Sequence, residues 1–518
     1  MLPKRPSLNL TITATICGML SPFALAQTIN WDGDNPVGNF SFDNNWFGNT
    51  QPTWSHSNSL VFSFRNNSSQ SSLFYDYSGW RDINDIFYAS TFSAGLTLSS
   101  NGNGINFKQR LENNSSHTQT IGMPLSGGKD GAPHIELNPV NGRLVLNGSI
   151  FNDFSKAYNV YGGNVLEINT GLGVGGTASS VGFAVQTNAI VELKAAQSWT
   201  GNTTINAGRM EFRTGGSLAG GTVQLGNTSG SSAAELRLVP NGGYVLARPV
   251  LVRSGSSGVK TISSINTAGT NELSGGITLN DSIHLSVEAG GTLTLSGAIG
   301  GSGGVTVTQG GRVLVSGTAN YSGATTINAG TLEWNATLSG SGAGVSTNNN
   351  AVLSGNGSIA RAVSVASTAF IHPGNSAQPT ATLAVGSFTL GGTYTADINW
   401  NGNYGLAPSA DLIDVTGTVT LQSTSTLAVQ MAGGGGTFSG PRYIVLIRNN
   451  ESDAVSGVFN SITGLSGFTY SVLYDYNADT NAEGTGNDVA LKITAVPEPG
   501  AVGALLLLAS GMLIRRRR

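Results

Sequence analysis

Five histidines (His56, His117, His134, His284 and His372) and two aspartate pairs (Asp82/Asp85 and Asp411/Asp414) are the residues from which catalysis or metal binding would be built. Cleaving a polysaccharide takes clustered carboxylates on one surface, often with calcium and an arginine or lysine base. The members of each aspartate pair stand three apart, so in a strand they are expected to face opposite sides. The histidines are scattered, with no H-x-H or H-E-x-x-H spacing to hold zinc. No G-x-S-x-G elbow follows a strand and opens a helix. One loop comes closer to a metal site: in DYNADTNAE, residues 475–483, Asp475, Asn477, Asp479 and Asn481 alternate as in the first half of a calcium loop. The match then breaks, with Thr480 where glycine is needed and Gly486 where glutamate is needed. A solvated hairpin loop before a strand at 488–493 is the preferred reading over a calcium site. We therefore expect no catalytic residue, no metal site, no cofactor and no enzymatic activity.

The elements that would position any site come from an internal repeat. VELKAAQSWTGNTTINAGRME (191–211) and VLVSGTANYSGATTINAGTLE (313–333) align without a gap at an offset of 122. Each reads as strand, corner, strand, corner, strand. Val313 and Val315 alternate with polar residues at the period of two that a half-buried strand requires. Trp199 and Tyr321 hold the same place before a turn at Gly201 or Gly323, and Thr326 and Ile327 resume a strand with β-branched side chains. Gly208 and Gly330 suit a corner with positive φ, and Met210 and Leu332 point inward. Weaker copies at 220–227, 275–281, 290–317 and 387–400 follow a glycine corner with V/I/L-x-V/L. Such a unit cannot bury its apolar face alone and needs copies above and below it. Helical spacing is confined to the two ends of the chain, and βα alternation is absent, which argues against a doubly wound sheet or an α/β barrel. The expectation is an all-β, right-handed parallel β-helix with an antiparallel sandwich array as runner-up. Residues 60–490 would make roughly 17–21 coils and a rod of about 80–100 Å.

Glycine supplies 73 of 518 residues, about twice the usual share. Apolar residues still reach 39%, which suits many short strands and tight turns better than disorder. The net charge is −3. Setting aside residues 1–26 and 496–518 leaves 19 basic against 27 acidic residues, a net of −8. A mildly acidic body without a basic stripe argues against nucleic-acid binding. Lys4 and Arg5, an apolar stretch from about Leu10 to Leu20, and Ala24-Leu25-Ala26 have the form of an export signal cleaved before Gln27, with a buried first helix as the alternative. Cys17, the sole cysteine, lies inside that segment behind Ile16 rather than the Gly or Ala of a lipoprotein site. The mature chain would then have neither disulfides nor thiolate chemistry.

ANYSGATTINAGTLEW (319–334) resembles the autotransporter-associated β-strand repeat of exported bacterial passengers. WDGDNPVGNFSFDNNWFG (31–48) with SLVF (59–62) resembles their N-terminal cap. IHPGNS (371–376), DLIDVTGTVTL (411–421), YIVLI (443–447), VSGVF (455–459) and NDVALKI (487–493) resemble their closing coils. An autotransporter would continue into a membrane barrel, for which little chain remains after Thr494. The end of the chain instead joins Pro497-Glu498-Pro499, the uncharged run 500–514 and Arg515, Arg516, Arg517 and Arg518. The prolines keep the chain extended, the run is somewhat short for a membrane span, and the arginines stay on the cytoplasmic side. This arrangement resembles the PEP-CTERM sorting signal of Gram-negative bacteria. The resemblance implies a transient transmembrane helix in the inner membrane and removal of the tail by an exosortase-type enzyme, with a permanent single-span anchor as the bland reading.

The expected organisation is a signal peptide at 1–26, a cap at 27–59, a β-helix with repeats at 60–395, closing coils at 396–495 and a sorting signal at 496–518. The expected function is that of an exported cell-surface or matrix structural or adhesion protein, with glycans or matrix polysaccharide as further partners. A β-helix that binds or degrades polysaccharide is the alternative from another class.

Overall fold

The computed structural model describes residues 27–495 apart from 32–38, 42, 44–45, 47–50, 52–53, 56, 63–70, 130, 152–155, 174–180, 376–377, 403, 405–406, 434–439 and 451–452. The expected signal segment with Ala24 and Ala26, the tail from Pro497 to Arg518, and His56 all lie outside the described residues. Gln27 opens the first strand, Gln27–Trp31.

Short strands with one or two inward apolar residues cannot form a core singly, and here they stack. Three long faces result. The first runs from Gln27–Trp31 to Ile299–Gly301. It then continues through the bridges Ile299–Ala319 and Ala319–Leu338 into the strand Thr337–Leu338 and those stacked on it. The second is a 16-stranded sheet from Ser72–Tyr75 to Val419–Leu421, and the third an 11-stranded sheet from Val245–Leu246 to Ser461–Thr463. Within the described residues the stack is built of parallel pairings. Antiparallel strands are added at two places, a hairpin at Ile398/Ala410 and a closing sheet of Arg442–Asn449, Asp488–Ala495 and Thr469–Tyr476. This is a parallel β-solenoid, and the sandwich alternative falls. No α-helix occurs among the described residues, and none of them forms a helix long and apolar enough to cross a membrane. At about 4.8 Å per rung, the second face alone spans about 70 Å. The positions expected as domain boundaries, 59/60 and 395/396, fall inside the strands Asn58–Phe62 and Thr393–Asn399, so the stack passes through both.

Register explains the core. In the third face Leu293, Val313, Leu332, Leu353, Ile371, Tyr394 and Leu427 form one inward column, all buried. Each repeat copy is one complete coil: Val191 stacks on Met210, and Val313 on Leu332. The corner aromatics are interior residues, Trp199 and Tyr321 at 0% exposure and Trp334 at 2%. The Trp199 indole N–H donates to Thr203 Oγ1 at 2.9 Å, and the Tyr321 hydroxyl meets Thr325 Oγ1 at 2.5 Å. The same aromatic–threonine pair thus closes the same corner in both copies, giving Trp199 and Tyr321 each a partner for its polar tip.

The two copies nevertheless sit on different faces. Thr203–Ile205 belongs to the first face and Thr325–Ile327 to the second; Gly208–Phe212 belongs to the second and Thr331–Trp334 to the third. The offset of 122 is therefore five coils and one further face, and the motif encodes a coil without encoding an orientation.

Candidate functional site

The outer surface carries three arrangements of polar residues. The first is a column of hydroxyls on the second face. Thr306, Thr326, Ser346, Ser364, Thr389 and Thr420 stack in register on consecutive rungs. Their neighbours on either side in each strand are buried, as in Val305 and Val307 or Val363 and Val365, so the middle residue is the outward one.

The second arrangement lies earlier on the same face. Glu167, Glu192 and Glu211 occupy consecutive rungs in register, where like charges repel. Arg143 lies between Glu167 and Glu192, Lys194 reaches Glu167 at 2.6 Å, and Arg213 bridges Glu192 at 3.0 Å and Glu211 at 2.6 Å. Arg237 continues the series to Glu235 at 2.8 Å. Burial works against ionisation of Glu167, but hydrogen bonds from Lys194 and Arg143 outweigh it and hold the carboxyl down to about 2. The ladder neutralises itself and leaves no concentrated charge for a ligand.

The third arrangement is a cleft of about 440 Å³ on the third face, whose lining includes Arg312, Thr331, Glu333, Ser354, His372 and Asp397. Register builds it: Glu333 stacks on Ser354, and Ser354 on His372. The strand Thr393–Asn399 has seven residues where its predecessors have four, and it overruns the coil. It turns at Asn401 and Gly402, both with positive φ, and returns as Ser409–Ala410. The return delivers Asp411 onto Asp397, whose carbonyl accepts the Asp411 N–H at 2.9 Å. His372 Nε2 lies 3.3 Å from Asp397 Oδ2 and 3.8 Å from Asp411 Oδ2. Asp411 is fully buried, and its carboxylate accepts the backbone N–H groups of Ala381 at 2.9 Å and Asp397 at 3.0 Å. Burial raises its carboxyl to about 7, against the pull of those two hydrogen bonds. His372, Asp397 and Asp411 are close enough to share one metal ion.

The sequence expectations fare unevenly against this geometry. Asp411 and Asp414 do part company: Asp414 faces outward near Asn450, and Asp411 is buried. The histidines, expected to be scattered, include one that two distant carboxylates converge on, and sequence spacing held no signal for it. Asp82 and Asp85 depart from the alternation argument. A register shift between Ile83 and Asp85 leaves Ile83 and Ile86 both in the core. Each aspartate precedes one of these, so both lie on the outer side, where Asp82 accepts from Asn106 at 2.7 Å and Asp85 from Arg110 at 3.3 Å. Asp475 and Tyr476 end the strand Thr469–Tyr476, and the rest of the 475–483 segment lies in the hairpin loop before Asp488–Ala495. Asn477 Oδ1 caps the N–H groups of Asp479 and Thr480, and Tyr476 donates to Asn481 Oδ1, so two of the four alternating donors are already engaged. Sequence reasoning also passed over an aromatic pair on the outer surface, Trp80 and Phe151, with centroids 6.2 Å apart.

No family model matches the chain, and no curated protein matches it. Among solved structures, the Haemophilus influenzae Hap adhesin is similar, with a TM-score of 0.29 and 11% identity over 82% of this chain and 64% of that one. The chain thus spans less than two thirds of the adhesin's length, and at that TM-score the likeness adds nothing to the geometry above.

Proposed function

We propose that this chain is an exported, non-enzymatic structural or adhesion protein of a bacterial cell surface or extracellular matrix. In this reading the 496–518 tail directs sorting through the inner membrane, and an exosortase-type enzyme removes it. The observation that carries the reading is the column Thr306–Thr326–Ser346–Ser364–Thr389–Thr420, one outward hydroxyl per rung. Neutral hydrogen-bonding groups repeated at about 4.8 Å suit weak, multivalent contact with a glycan chain better than one deep pocket. Affinity then comes from avidity: a single contact is feeble, and many in register hold.

The test is retention of the chain on immobilised polysaccharide, as isolated molecules and as an antibody-linked dimer, with Thr326→Lys and Ser364→Lys as ladder-breaking variants. Both positions face outward, so the fold should tolerate the change. Retention should rise steeply on dimerisation and fall in both variants; equal retention of the variants sinks the reading. A companion assay on uronate polymers should yield no new chain ends. Cleavage that disappears in Asp397→Asn would favour instead a β-helix that degrades polysaccharide, with the third-face cleft as its site.

A further inference from the structure

We propose that His372, Asp397 and Asp411 bind one divalent first-row transition-metal ion, with zinc the best fit to the donors. One imidazole nitrogen and two carboxylate oxygens suit zinc, whereas calcium takes six to eight oxygens. The donor atoms lie within 4.8 Å of one another. Two of the separations, 3.3 and 3.8 Å, approach the edge of a tetrahedron of about 3.3 Å that follows from metal–ligand bonds of about 2.0–2.1 Å.

Three further observations point to a cation. Asp397 Oδ1 is buried and has no hydrogen-bond partner among the described residues, an unusual state for a carboxylate oxygen. Among the described residues no lysine or arginine pairs with Asp397 or Asp411, and the nearby Arg312 is bonded to Glu333 at 2.8 Å. A single histidine is therefore the basic side chain beside these two adjacent carboxylates among the described residues. The two backbone N–H groups on Asp411 fix its carboxylate in place, as outer-shell partners of metal ligands do. The donors come from the strand Phe370–Pro373, the strand Thr393–Asn399 and the hairpin return, so the ion would staple the insertion to the stack. Its remaining position would face the cleft, open to water or to a ligand oxygen.

The test uses the full-length chain, stripped with a chelator and titrated with Co²⁺ as a spectroscopic probe, then with Zn²⁺. One equivalent of Co²⁺ should produce visible d–d absorption of a low-coordinate site, and one equivalent of Zn²⁺ should abolish it. Zn²⁺ should also raise the melting temperature. His372→Ala and Asp397→Asn should each weaken binding at least ten-fold. Asp397→Asn is nearly isosteric and should melt like the parent without metal, which keeps the test valid should His372→Ala fold poorly. Absence of the Co²⁺ band, unchanged affinity in Asp397→Asn, or preference for Ca²⁺ over Zn²⁺ would each overturn the proposal.

Discussion

Gly330 closes the corner between Thr325–Ile327 and Thr331–Trp334 with φ at +69°. A Cβ there would lie 2.3 Å from the Gly311 carbonyl oxygen and 2.4 Å from that of Gln309, both backbone atoms of the preceding coil. Gly340 has φ at +83° but nothing within 4 Å of its Cβ position. Replacing either with alanine places an L-residue in the left-handed region, at about 1–2 kcal/mol. Only Gly330→Ala must also push a neighbouring coil aside, an overpacking cost of about 1–3 kcal/mol. The expected totals are about 2–5 kcal/mol for Gly330→Ala and about 1–2 kcal/mol for Gly340→Ala, and Gly330→Val should be worse than Gly330→Ala because it is β-branched. Hydrogen exchange read by mass spectrometry over 312–334 measures this directly, because local opening free energy sets protection. Gly330→Ala should speed exchange there by roughly 30-fold or more, and Gly340→Ala should leave that segment nearly unchanged. Equal loss of protection in the two variants would show that φ strain alone matters and that the coils are not in contact at this corner.

Thr325→Val removes the partner of the buried Tyr321 hydroxyl, and stranding that group should cost about 1–3 kcal/mol in urea unfolding. Tyr321→Phe on the same background should recover most of the loss. The carboxyl of Glu167 is held below its ordinary range in the folded chain. Its contribution is therefore fully present above about pH 4.5 and lost as pH falls through about 2. Acid titration of the melting temperature should show that limb, and Arg143→Ala should shrink it; an unchanged limb refutes the ladder's role. Mass spectrometry of the surface-located protein should find a C-terminus upstream of Arg515, and recovery of chains ending at Arg518 refutes removal of the tail.

What was legible in the chain is what is local. Val313, Val315 and Leu332 could be placed inward because strand alternation depends on neighbours two residues away, and all three are buried. Gly208 and Gly330 could be placed at corners because their positive φ is a property of one residue. The deciding partners elsewhere are remote. Asp82 and Asp85 obey alternation until a bulge against the next coil resets it. The alternating carboxylate and amide groups of 475–483 look free on paper, yet Asn477 spends its oxygen on its own turn. His372 meets Asp397 only because register stacks one strand on the next, and meets Asp411 only because the chain doubles back.

Coil length separates scaffold from site in this solenoid. From Val345 to Val363 a coil closes in 18 residues, leaving room for three short strands and their corners. Such coils present one outward hydroxyl and little else, so they can repeat a weak contact but cannot enclose a ligand. From Thr393 to Thr426 a coil takes 33 residues, and the surplus becomes the hairpin that lays Asp411 beside Asp397. The stack supplies His372 in register and the insertion supplies what the register cannot. A metal-binding or catalytic centre in such a chain should therefore be sought where a coil is longer than its neighbours, and a multivalent surface where the coils are shortest and most alike.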